Sequence, residues 1–69
     1  MKTGFETFKQ VGRIREFATM SAGMQPIGQT VRVIGTKKSV DVNVANYIKN
    51  GMKPQTVCRW LQFLRMVIE

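Results

Sequence analysis

Cys58 is the only thiol in the sequence, there is no histidine, and only four side chains are acidic. That inventory is poor in chemistry. Nucleophilic catalysis needs a base beside the nucleophile, and general acid–base work needs two titratable groups with separated pKa values. A zinc site needs several Cys, His or carboxylate ligands, and nucleotide chemistry needs a glycine-rich phosphate loop. None of these sets is present, so the sequence argues against an enzyme, a metal or other cofactor, and a small-molecule substrate. Cys58 reads as a structural or incidental thiol on an exposed helix face, and a lone cysteine suits a reducing compartment. Met1-Lys2-Thr3 carries one charge with no apolar run behind it. No signal peptide or membrane span is expected, and the protein is expected to be cytoplasmic.

What the chain does carry is positive charge. Eleven Lys and Arg against four Asp and Glu give a formal +7 and a pI of 10.4. From Phe17 to Ile68 the one acidic residue is Asp41, against Arg32, Lys37, Lys38, Lys49, Lys53, Arg59 and Arg65. A field of one sign over most of a domain points to an anionic partner, and nucleic acid is the expected one.

The elements that must position these cations fit one domain over residues 1–69. A chain this short buries only about 60% of its unfolded surface, which makes a homodimer the expected assembly. Thr3-Gly4-Phe5-Glu6 has the spacing of a capping box, and Phe8, Val11, Ile14 and Ala18 recur at three and four residues, with Phe5 and Phe17 at the edges of the stripe. This is an amphipathic first helix ending near Met20. Gly12 inside it costs about 1 kcal/mol relative to Ala, so either another backbone passes close or the helix is locally weak.

Ser21 to Gly28, with two glycines, a proline and no charge, reads as a loop. Gln29 to Ile34 alternates polar and β-branched residues, a short strand with Val31 and Val33 on one face and Thr30 and Arg32 on the other. Beyond the basic turn 35–39 two readings stand. Val40, Val42 and Val44 alternate as the inward residues of a returning strand, or Ser39 caps a helix that carries Asp41 in its first turn and buries Val44, Ala45, Tyr47 and Ile48. Asn50-Gly51 then stops a helix and Pro54 starts another. At 100° per residue that last helix gathers Val57, Trp60, Leu61, Leu64, Val67 and Ile68 on one side, with Gln55, Cys58, Arg59, Gln62 and Arg65 on the other. Phe63 and Met66 flank the polar face as a candidate dimer contact. The fold class is α+β, mainly α: three helices with one short strand or a β-hairpin.

From Ala45 to Leu64 the chain resembles the helix-turn-helix of bacterial and phage transcription regulators, with Ala45 and Ile48 in the first helix, Gly51 in the turn and Thr56, Val57, Trp60 and Leu61 in the second. The interval from Ala45 to Gly51 is six residues where the family has four, a longer corner of the sort found in winged variants. A wing would then fall on the tip from Thr36 to Ser39. The resemblance implies a regulator that binds double-stranded DNA with its last helix in the major groove. Gln55, Thr56, Arg59 and Gln62 would meet base edges, since Gln pairs with adenine and Arg with guanine by two hydrogen bonds. Lys37, Lys38, Lys49, Lys53 and Arg65 would meet phosphates, and about five such contacts give a log–log salt slope near −4 to −5.

Two other readings use the same charge. In a ribbon-helix-helix binder, Thr30 and Arg32 on the strand segment 29–35 would read the groove through a ribbon made by two copies. In a small adaptor or inhibitor, the cations would meet an acidic protein surface or a polymerase.

Overall fold

A computed structural model describes residues 4–68. Its order is α1 (Gly4–Met20), β1 (Met24–Ile27), β2 (Thr30–Ile34), β3 (Ser39–Asn43), α2 (Val44–Lys49) and α3 (Pro54–Val67). More than half of these residues are helical, and the strands form one antiparallel sheet in the order β1-β2-β3. Thr3, half of the expected capping box, lies outside the described residues.

The sheet has one dry face. In the register Met24↔Val33↔Val40 and Pro26↔Val31↔Val42, alternate residues of the three strands point the same way. Met24, Val31, Val33 and Val42 are buried there against Val11, Ile14 and Ala18 of α1, Val44 and Ile48 of α2, and Val57 and Leu61 of α3. No buried polar or charged residue interrupts this core among the described residues. Burying the valine, isoleucine, leucine and methionine side chains among these contributes about 1.5–3 kcal/mol each.

Three expectations change. The segment read as a loop contains strand β1, joined to β2 by the two residues Gly28-Gln29. Gly28 has φ 60, and a glycine with positive φ at the first of two loop residues is the signature of a type II′ hairpin. Pro26 hid the strand from a sequence reading, yet proline is tolerated on an edge strand, and β1 is one. Next, residues 39–43 form strand β3 and not the Ser39-capped helix. Val42 is buried opposite Val31, while Asp41 faces solvent opposite Arg32, so the period of two decides the segment. The helix starts four residues later than the Ser39 cap would place it, at Val44, and its cap is Asn43, whose Oδ1 accepts the Asn46 N–H at 3.1 Å.

The third change concerns aromatic residues assigned to the core. Phe8 is 73% exposed. At 100° per residue it sits about 60° round the helix from Val11 and about 120° from Ile14, so the core follows the Val11, Ile14 and Ala18 line and leaves Phe8 on the flank. Trp60 is 37% exposed for the same reason, about 100° from Leu61, and leans on Tyr47 of α2 with ring centroids 5.5 Å apart. Val67 is exposed too, while Leu64 and Ile68 are partly covered. Gly12 is settled as well: a Cβ placed there meets nothing within 4 Å, so no backbone passes close.

Candidate nucleic-acid interface

α2 and α3 are joined by Asn50-Gly51-Met52-Lys53, with Gly51 at φ 99 and Pro54 opening α3. Four linking residues with a glycine fit the length of a helix-turn-helix connection. Ala45 is the second residue of the six-residue α2 and stands six positions before Gly51. Gly51 N–H donates to the Ile48 carbonyl at 3.0 Å and Met52 N–H to the Tyr47 carbonyl at 3.1 Å, so the corner is hydrogen-bonded back onto α2.

Gln55, Arg59 and Gln62 are exposed and line one shallow groove of about 400 Å³ between α3 and α1. Arg13 and Phe17 of α1 form its other wall, and Cys58 lies in it half-buried. Arg13 had no place among the candidate residues. Nothing in the sequence could have added it, because only the packing of α1 against α3 brings it there. Thr56 stands apart: it is exposed, but at 100° per residue it falls on the side of Trp60 and Phe63. Three of the four expected base-reading residues therefore share a groove.

Cys58 corrects its expected place on the polar face, since it packs against the core, and burial pushes its thiol pKa up. A thiol held protonated is a weak nucleophile, which agrees with an inert role.

The expected phosphate-binding cations divide between the two ends of α3. Lys53 precedes its first residue and Lys49 closes α2 just before the corner. At the other end, Arg65 lies in the last turn, packs against Gly23, and shares a small hollow with Gly35 and Thr36 of the β2–β3 turn. That turn, closed by the Gly35 N–H donating to the Lys38 carbonyl at 2.8 Å, carries Lys37 and Lys38. Both are exposed. The tip that would serve as a wing thus stands beside the end of α3.

Arg32 is placed differently. Its guanidinium donates to both Asp41 carboxylate oxygens across the open sheet face, at 2.9 and 3.4 Å. The shared hydrogen bond lowers the Asp41 pKa and raises that of Arg32. Its charge is answered within the chain. β2 is also the central strand, paired on both edges, so it has no free edge from which two copies could build a ribbon. The ribbon reading through segment 29–35 loses its structural basis.

No metal-binding cluster of His, Cys, Asp or Glu occurs among the described residues, and none of their helices is long and apolar enough to cross a membrane. Comparison with known proteins gives no match to any family model, curated protein or solved structure.

Proposed function

We propose that this chain is a cytoplasmic, sequence-specific regulator that binds double-stranded DNA as a homodimer, with α3 entering the major groove through a helix-turn-helix corner of the winged kind. The observation that carries the reading is the arrangement of α3: an exposed face bearing Gln55, Arg59 and Gln62, with cations grouped at both ends. Fourteen residues at 1.5 Å each make α3 about 21 Å long, against a major groove about 12 Å wide. Cations at its ends are therefore spaced to meet the phosphates on either side while its middle faces base edges.

The test separates the two kinds of contact. Replacing Arg59 and Gln62 with Ala should narrow the affinity ratio between a selected duplex and random duplex, since each bidentate base contact discriminates by about 1–3 kcal/mol. Replacing Lys37 and Lys38 with Ala should weaken binding to every duplex alike and make the log–log salt slope shallower by about 2. Discrimination left unchanged by the first pair removes α3 from the groove. Duplex binding that never rises above nonspecific strength, with one protein partner bound instead, favours the adaptor reading.

A further inference from the structure

A second groove lies on the far side of α1 from Arg13 and Phe17. It has a volume of about 590 Å³, within the range of built ligand sites, and runs between α1, α2 and the β1–β2 turn. Its lining includes Val11, Gly12 and Ala45, with Phe8 at the mouth, Arg15 on the α1 wall and Lys49 on the α2 wall. No carboxylate is among the lining residues. We infer that this groove docks an acidic segment of a partner protein, which inserts an apolar side chain between α1 and α2 and meets Arg15 and Lys49 with its carboxylates.

Three observations carry the inference, and none depends on α3 meeting DNA. Gly12 weakens the middle of a helix, yet a Cβ there would touch nothing, so the fold itself gives no packing reason for a glycine. What its missing side chain provides is open space on the α1 side of the groove. Phe8 is an aromatic left open at the mouth of that same groove, an apolar surface that an inserted side chain would cover. The charge then selects the occupant. Cations on facing walls with no carboxylate between them favour an acidic segment, whereas the same groove of a second copy would set Arg15 and Lys49 against like charge. A phosphate backbone matches the cations and the polar Gln29, Asn43 and Asn46 of the lining but brings no apolar group for Phe8 and Ala45, so an acidic peptide with an apolar anchor fits better.

The probe is a synthetic helical peptide of about 15 residues with Glu on one face and Leu on the other, titrated into ¹⁵N-labelled full-length protein and followed by amide shifts. The expected result is a set of shifts confined to the neighbourhood of Gly12, Ala45 and Lys49, with Arg59 and Gln62 unmoved. Gly12→Leu puts a side chain into the groove and improves helix propensity, so it keeps the fold while weakening the peptide at least about tenfold; the Arg15→Ala, Lys49→Ala double variant does the same through charge. A control peptide with Lys for Glu, or with Ser for Leu, should not bind. The inference is overturned if the acidic peptide causes no shifts at millimolar concentration, if the shifts lie elsewhere, or if Gly12→Leu binds equally well. It is overturned too if a control peptide binds as tightly, or if oligo(dT) or duplex DNA shifts Gly12 and Ala45 and not only Lys49, which is already assigned to a phosphate.

Discussion

At the scale of single residues, Cys58 is the sharpest case, because its position and its protonation both follow from a half turn of packing. The sulfur lies beside the core, and burial raises its pKa. A group whose folded pKa is raised contributes stability that is fully present below its unfolded pKa and is lost as pH rises through the folded value. The native protein should therefore lose stability between neutral pH and the alkaline range of thiol ionisation. Cys58→Ala should lose less over that interval, as read from denaturant midpoints at the two pH values. Alkylation by iodoacetamide at pH 7.5 should likewise run several-fold slower in the folded protein than in the unfolded chain; equal rates would mean that the sulfur is open and unshifted. The polar pattern around Gln55, Arg59 and Gln62 was legible in the sequence because a helix face depends only on spacing. Cys58 falls on the same arc, and only the approach of α1 distinguishes it from its neighbours.

At the scale of elements, two glycines predict opposite outcomes for one substitution. Gly12 is in mid-helix with open space where a Cβ would stand, so Gly12→Ala should stabilise the protein by about 0.5–1 kcal/mol. Gly23 joins α1 to β1 at φ 75, its carbonyl accepts the Ile34 N–H at 2.8 Å, and a Cβ there would run into the Arg65 side chain. Gly23→Ala should destabilise, because it combines backbone strain of order 1–3 kcal/mol with displacement of Arg65. Thermal melts of the two variants against the parent check both signs. All three helices and the strand β2 were readable from periodicity, although the start of α2 was not. The strand β1 was missed through Pro26, whose exclusion from strands holds for central positions and not for an edge; the signal that could have found it is Gly28-Gln29 between Ile27 and Thr30. The sequence allows two readings of β3 because Val40, Val42 and Val44 alternate while Ser39 caps well, and only the pairing of Arg32 with Asp41 and of Val31 with Val42 decides between them.

At the scale of the whole molecule, charge and apolar surface pull in different directions, and salt separates them. Tyr47, Trp60, Phe63 and Val67 leave an apolar strip along α2 and α3 that suits association with a second copy, while the formal +7 opposes bringing two copies together. Sequence alone named Phe63 as a dimer contact but assigned Trp60 and Val67 to the core, because a helical wheel shows which residues share a side and not how much of that side a thin sheet and a short α2 can cover. Raising the ionic strength from about 0.1 M to 1 M shortens the Debye length from about 10 Å to about 3 Å, which removes the repulsion and leaves the apolar contact intact. Dimerisation should therefore strengthen with salt. Duplex binding through about five phosphates should weaken over the same range with a log–log slope near −4 to −5. Sedimentation equilibrium and a DNA titration on one salt series read both curves, and Phe63→Ser should shift the first while leaving the slope of the second unchanged. A protein that stays monomeric at high salt and high concentration would exclude the dimer, and a DNA slope near zero would exclude the phosphate contacts assigned to the two ends of α3.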